Sequence, residues 1–146
     1  MDWKLRSSTK SDAARMADLR AVVMRPDLER LDRFDPIWVR ERFLRSFVPE
    51  NTWVIVLDGR DVGSVAVRAE ADSSWIEHFY LDPKVQGQGL GSAVLTQLLG
   101  TKDEGMPFRL NVLQGSAARR LYERHGFVLE SEDAVDVFML RPGVSS

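Results

Sequence analysis

Apolar residues recur at two spacings along the chain. In stretches 3–7 and 52–57 they alternate with polar residues or form β-branched runs such as T-W-V-I-V-L, which predicts strands. Elsewhere they return every four residues, as in Val39, Phe43 and Phe47, which predicts one buried helical face. The chain therefore combines strands with amphipathic helices.

The same patterns, divided by Pro, Gly and Asp-containing turns, extend over the whole chain. Strands are predicted at 3–7, 52–57, 61–70, 75–81, 108–112, 127–130 and 134–140. Helices are predicted from a cap at Ser11 and Asp12 to about Met24, between Pro36 and Pro49, at 90–100, and from an N-cap at Ser116 to a terminating Gly126. The first helix has an apolar side formed by Met16, Leu19, Val22 and Val23, and Pro26 ends or kinks it. This order predicts an α/β (α+β) fold in one domain, 1–146, with a mixed sheet of about seven strands flanked by about four helices.

A glycine-rich loop joins the strand at 75–81 to the helix at 90–100. Gly87, Gly89 and Gly91 lie in the sequence Q-G-Q-G-L-G-S, directly before and within the first turn of that helix. Unpaired amides at a helix N-terminus attract anions, and glycine lets a phosphate approach them closely. The spacing G-x-G-x-G differs from the dinucleotide fingerprint, and no Gly-Lys-Ser/Thr sequence of a P-loop is present. The alternative is an ordinary turn between strand and helix.

Two spaced motifs carry a resemblance to a known family. Q-x-x-G-x-G, formed by Gln86, Gly89 and Gly91, is similar to the acyl-coenzyme A pyrophosphate loop of the GCN5-related N-acetyltransferase (GNAT) superfamily. L-N-V followed by A-x-x-L-Y-x-x-x-G-F is similar to its second signature, at positions Ala118, Leu121, Tyr122, Gly126 and Phe127. One departure is that Gly115 and Ser116 stand where the family usually has an asparagine that contacts the pantetheine arm. The resemblance extends over nearly the whole chain.

The resemblance implies a mostly antiparallel acyl-CoA N-acyltransferase fold and acetyl-CoA as the acetyl donor. The coenzyme-binding residues that it implies are Phe79, Leu81, Gln86, Gly87, Gln88, Gly89, Leu90, Gly91, Ser92, Ser116, Arg119 and Tyr122. For Arg119 the alternative is an exposed helical arginine. The implied activity is direct transfer of an acetyl group to a primary amine of a small molecule or peptide. The rival hypotheses are a non-catalytic acyl-CoA-binding sensor and an interaction domain whose loop binds no phosphate.

Three residues are candidates for proton transfer, one as the acid and two as the base. A phenol, with an ordinary pKa of about 10, stays protonated at neutral pH and can protonate a departing thiolate, which favours Tyr122 as the acid. Tyr122 also fits a packing role on its helix. Glu77, an ionisable group in mid-strand, is a candidate base or a member of an ion pair, and His78 is the second candidate. By strand parity Glu77 shares a face with Phe79, and His78 lies on the other face.

The charged segment at 24–36 connects the first two helices and is either a solvated linker or a lid over the acceptor. On the second hypothesis Glu29, Phe34 and Trp38, together with His78, contact the acceptor amine.

Composition limits the reaction types, cofactors and partners that remain possible. The chain has 146 residues, no cysteine, two histidines and a net charge of −2. The absence of cysteine excludes a cysteine acyl-enzyme, and two histidines argue against a metal centre, so we expect no metal. No basic block and no apolar run of 18 residues is present, so we expect neither nucleic acid nor a membrane as partner. We expect a cytoplasmic protein, with a homodimer as one option.

Overall fold

The computed structural model describes residues 1–100 and 105–143. Within these residues it has seven strands and four helices. The strands are β1 (Trp3–Ser7), β2 (Thr52–Leu57), β3 (Arg60–Ala69), β4 (Ser74–Leu81), β5 (Phe108–Leu113), β6 (Val128–Glu132) and β7 (Asp136–Arg141). The helices are α1 (Ala13–Arg30), α2 (Pro36–Ser46), α3 (Leu90–Gly100) and α4 (Ala118–Arg124). Short 3₁₀ turns lie at Lys10–Asp12, Pro49–Asn51 and Pro83–Val85.

The strands form one sheet in the order β1-β2-β3-β4-β5-β7-β6. The pairs β1–β2, β2–β3, β5–β7 and β6–β7 are antiparallel, whereas β4 pairs with β5 in parallel through Ser74–Phe108 and Trp75–Arg109. Asp58 and Gly59 close the β2–β3 hairpin with φ of 50° and 81°, as a turn with two left-handed residues requires. The predicted mixed sheet, with its four helices, is confirmed.

Two compact units divide the chain. The first contains Met1–Val67 and Glu77–Gly87, and its core includes Met16 on α1, Phe43 on α2 and Val54 on β2. The four-residue spacing predicted the buried face of α2 correctly, because Val39 and Phe43 are both fully buried. The single domain predicted for 1–146 stays a prediction.

The second unit contains Arg68–Ile76 and the described residues from Gln88 onward. The predicted face of α3 is confirmed, since Leu90, Val94 and Leu98 are all buried. Ser116 lies just outside α4, where its Oγ accepts a hydrogen bond from the Ala118 amide at 3.2 Å. The helix therefore starts one residue later than the predicted N-cap implies, although the hydroxyl does bind a free amide of its first turn.

The prediction that the first helix stops near Met24 is wrong, because α1 continues through Pro26 to Arg30. A proline inside a helix leaves the carbonyl four residues earlier, here that of Val22, without its partner. Val22 and Pro26 are both exposed, so water can reach that carbonyl, and Leu28, 3% exposed, holds the last turn in the core.

The buried face of α1 also differs from the prediction. Val22 is 56% exposed, whereas Met16, Ala17, Ala21 and Arg20 are buried. An arginine thus occupies the inner stripe of the helix.

Candidate functional site

The glycine loop presents free main-chain amides. Gly87 and Gly89 have φ of 77° and 86°, and a Cβ built on either would meet no atom within 4 Å. The first amide bonded within α3 is that of Ala93, which donates to the Gly89 carbonyl at 3.1 Å. Within residues 1–100 and 105–143, the amides of residues 89–92 have no acceptor. With no acidic residue in the first turn of α3, this arrangement fits a bound diphosphate.

Side-chain hydrogen bonds fix the chain between β4 and this loop. Gln86 Nε2 donates to the Leu81 carbonyl at 2.9 Å, and the Asp82 carboxylate accepts from the Lys84 amide at 2.9 Å. Gln86 therefore orders the segment by bonding the last residue of the strand. Its assignment as a coenzyme-binding residue stays a prediction, and so do those of the loop residues.

A histidine that the sequence analysis did not select supports the start of α3. His125 Nε2 and Ser92 Oγ lie 2.9 Å apart. Burial lowers the pKa of His125, and the positive charges of Arg124 and Arg141 lower it further. The ring is therefore neutral near pH 7, where it can donate to or accept from the serine hydroxyl. Its place beside the helix-ending Gly126 gave no signal of this bond, because Ser92 lies 33 residues away along the chain.

Helix α4 and the residues just before it carry three predicted site residues of the second unit. Tyr122 is 6% exposed, and its ring meets that of Phe127 edge-on, with centroids 5.7 Å apart. Arg119 Nε lies 3.6 Å from a carboxylate oxygen of Glu123, one helical turn on. Ser116 is half-buried and bonded to the Ala118 amide. The packing of Tyr122 is compatible with both hypotheses for it, and its catalytic role stays a prediction.

Strand β4 is irregular where the predicted base lies. His78 has φ of 50°, and its carbonyl accepts a hydrogen bond from Ser64 Oγ at 2.8 Å. Burial alternates only from Ser74 to Ile76, and every residue from Glu77 to Leu81 is half-buried. The strict two-face alternation predicted for this strand is therefore interrupted at Glu77 and His78.

His78 is enclosed by aromatic and polar groups of the first unit. Its ring meets Phe43 at 4.7 Å and Tyr80 at 6.3 Å between centroids, and Nε2 lies 3.0 Å from Ser46 Oγ. Burial lowers the pKa of His78 to about 4, with further lowering by Arg20 and Arg42. Burial also raises the pKa of the Tyr80 phenol, although Arg20 opposes that rise. Both side chains are therefore neutral at pH 7.

The backbones of β3 and β4 approach closely next to this cluster. A Cβ on Gly63 would collide with the Tyr80 carbonyl oxygen and with the Leu81 side chain. Gly63 therefore permits the position of β4 at Tyr80 and Leu81. Phe79 is half-buried between these residues and His78.

The residues predicted to contact the acceptor fall into separate groups. Glu29 lies in the last turn of α1, where it pairs with Arg25 at 3.3 Å, and the Arg25 guanidinium lies 4.9 Å from the Phe34 ring centroid. Trp38 is 46% exposed on α2. The hypothesis that 24–36 is one connecting segment is wrong, because residues up to Arg30 continue the helix.

Two features typical of other protein classes are absent within the described ranges. There, no helix is both long and apolar enough to cross a membrane. In the same residues, no three or more His, Asp or Glu side chains are grouped in a way that could hold a metal ion.

Similarity to known proteins identifies the family. A model described as an acetyltransferase (GNAT) domain matches residues 49–129, which is more than half of the chain. The chain therefore belongs to the GNAT acetyltransferase family, as the two sequence motifs predicted. No curated protein matches the sequence.

Solved structures share the fold at low sequence identity. The PaiA N-acetyltransferase from Thermoplasma acidophilum, in complex with coenzyme A, is 16% identical with a TM-score of 0.77, covering 97% of this chain and 99% of that one. The ribosomal-protein-S18-alanine N-acetyltransferase from Escherichia coli is 20% identical with a TM-score of 0.69, covering 99% and 96%. An N-acetyltransferase from Staphylococcus aureus Mu50 is 17% identical with a TM-score of 0.71, covering 94% and 98%. At these identities the likeness shows the fold alone.

Proposed function

We propose that this chain is an acetyl-CoA-dependent N-acetyltransferase that transfers the acetyl group directly to a primary amine of a small molecule or peptide. The observation that carries the proposal is the row of amides at residues 89–92 that bond no acceptor in the described part of a chain that belongs to the GNAT family. The coenzyme A bound to the Thermoplasma relative supports the same donor.

The loop holds the donor, which supplies the acetyl group as a thioester. Amides of Gly89, Leu90, Gly91 and Ser92 donate to the diphosphate, and the N-terminal end of α3 adds its positive dipole. Gln86 bonds the Leu81 carbonyl and so orders the chain that leads into the loop.

Amide formation moves two protons. The acceptor ammonium first loses one to Glu77, directly or through water, and the neutral amine then attacks the thioester. The nitrogen loses its second proton as the sulfur departs, and that proton replaces the one that the Tyr122 hydroxyl gives to the sulfur. A new C–N bond replaces the C–S bond, so the products are an acetamide and a free thiol. His78 is less suited to this role, because its ring packs against Phe43 and its Nε2 is bonded to Ser46 Oγ, so Glu77 is the proposed base.

Thiol release across an amine panel tests the proposal. We expect free thiol and acetylated amine to form in equal amounts with at least one amine, and acetyl-CoA to raise the unfolding temperature. A ligand at 100 times its Kd adds about 2.7 kcal/mol to stability. Binding without thiol release from any amine would instead identify an acyl-CoA sensor. An unchanged unfolding temperature would contradict both functions.

A further inference from the structure

Ser92 supplies a hydroxyl to the first turn of α3, in which Leu90, Gly91 and Ala93 have no polar side chain. Its main-chain amide is one of the four at residues 89–92 that bond no acceptor in the described part of the chain. Side chains of a helix tilt toward its N-terminus, so the hydroxyl points back to the end at which these amides are free. It therefore lies in the turn that is proposed to bind the diphosphate.

The hydrogen of this hydroxyl is not used by its own helix. Helical serines often donate to a carbonyl of the preceding turn, as Ser46 does to the Arg42 carbonyl at 3.0 Å. Among residues 1–100 and 105–143, Ser92 Oγ instead has one partner, His125 Nε2, at 2.9 Å. The ring therefore decides where the hydrogen of Ser92 points.

The main chain holds His125 from two sides. Its amide donates to the Tyr122 carbonyl at 3.0 Å, and its carbonyl accepts from Arg141 Nε on β7 at 3.1 Å. These bonds fix the residue at the C-terminal cap of α4. Because both bonds use main-chain atoms of His125, its two ring nitrogens stay available.

The two tautomers of a neutral imidazole have opposite effects on Ser92. With the hydrogen on Nε2, the ring donates to Ser92 Oγ, and the hydroxyl can donate to a ligand. With the hydrogen on Nδ1, the hydroxyl must donate to the ring instead. An ionised diphosphate only accepts hydrogen bonds, so its binding favours the first arrangement.

We propose that His125 is a positioning residue for the coenzyme: its Nε2–H holds Ser92 Oγ so that the hydroxyl donates to the diphosphate beside the main-chain amides. The inference rests on the proposed function and adds a side-chain donor to the same loop. His125 acts through Ser92 and does not itself contact the ligand. Diphosphate, hydroxyl and imidazole form a chain of hydrogen bonds in which each bond polarises the next.

A double-mutant cycle on acetyl-CoA binding tests this, measured by calorimetry without an acceptor. His125→Asn and Ser92→Ala should each lower the affinity by about threefold to tenfold, the contribution of one hydrogen bond. The double variant should bind no more weakly than the weaker single variant, because both changes remove the same donor. A merely structural role of His125 would instead give losses that multiply.

Two further variants sharpen the cycle. His125→Gln should retain most of the affinity, since its longer side chain can bring an amide N–H to the position of Nε2, which the shorter asparagine cannot. Thr96→Ala is the matched control, because it removes a hydroxyl of the same helix that bonds the Ser92 carbonyl rather than the ring, and it should bind normally. Thermal unfolding without ligand checks that each variant folds. His125→Leu, which keeps much of the bulk of the ring without a donor, replaces His125→Asn if that variant unfolds.

The outcomes separate this inference from the proposed function. Unchanged affinity in His125→Asn, losses that multiply in the double variant, or a His125→Gln as weak as His125→Asn would overturn the positioning role, even in a chain that releases thiol. The expected pattern of affinities without thiol release from any amine would support the positioning role and contradict acetyl transfer. A wild-type chain that does not bind acetyl-CoA would contradict both.

Discussion

Both histidines of the chain bond a serine through Nε2, yet they lie in very different surroundings. His78, in the first unit, is 3.0 Å from Ser46 and packs against Phe43 within an irregular strand. His125, in the second unit, is 2.9 Å from Ser92, in the first turn of the helix whose amides are unbonded. Burial lowers the pKa of both, and for His78 to about 4. The bond of His78 therefore stabilises packing in the first unit, whereas by our proposal the bond of His125 supports ligand binding in the second.

The loop region should respond most strongly to a change at Gly89. Gly89→Val places a side chain where the diphosphate is proposed to bind and should weaken acetyl-CoA binding by about a thousandfold, since each charge-assisted hydrogen bond contributes about 1.5–3 kcal/mol. Gly59→Val is the matched control, because Gly59 has a similar φ of 81° and equally open surroundings. Calorimetry should show normal affinity for the control. Equal affinity in both variants would contradict the loop assignment.

The region around His78 should lower the free energy of unfolding as the pH falls. The folded pKa of about 4 lies below the ordinary 6.5, so the unfolded chain takes up a proton first as the pH falls. Stability present above pH 6.5 is therefore lost between pH 6.5 and 4, by as much as about 3 kcal/mol. The variant His78→Asn should not show this part of the stability loss when its unfolding by denaturant is measured at each pH. Asparagine tolerates the positive φ at this position. An identical pH profile in the variant would show that His78 does not titrate in this way.

Tyr122→Phe tests chemistry in the second unit without disturbing its packing. The ring contact with Phe127 is kept, so we expect a kcat lower by about tenfold to a hundredfold, typical of losing a general acid, with coenzyme affinity unchanged. Steady-state thiol release and calorimetry measure the two quantities. A large loss of affinity instead would make Tyr122 a packing or binding residue.

The smallest expected effect is on coenzyme affinity, and it should distinguish Ser92 from Ser46. Ser92→Ala should weaken acetyl-CoA binding by about threefold to tenfold, the contribution of one hydrogen bond, and His125→Asn should weaken it by a similar, non-additive amount. Ser46→Ala should lower unfolding stability and leave coenzyme affinity unchanged. If Ser92→Ala and Ser46→Ala behaved alike in both assays, the contrast between the regions would be lost.

Regular spacing made much of the fold predictable. The four-residue steps in α2 and α3 and the Asp58–Gly59 turn each encode a local geometry, and all three agree with the structure. Motif order was as informative, because the glycine loop and the Tyr122 helix identified the family before any contact was known.

The features that the sequence did not predict depend on tertiary packing. Pro26 predicts a helix end, but α1 continues past it because the burial of Leu28 stabilises the last turn. Arg20 lies four residues after the buried Met16, the spacing at which side chains share one face of a helix. That spacing was the sequence signal that this arginine is buried. The bond of His125 to Ser92 joins residues 33 positions apart, and no local pattern predicts it.

A crystal structure of the chain with coenzyme A bound tests the central claim most directly. The account predicts that the diphosphate accepts hydrogen bonds from the main-chain amides of residues 89–92, at 2.7–3.2 Å or about the usual N–H···O length. A coenzyme bound elsewhere, or amides at 89–92 that remain bonded within the protein, would contradict it.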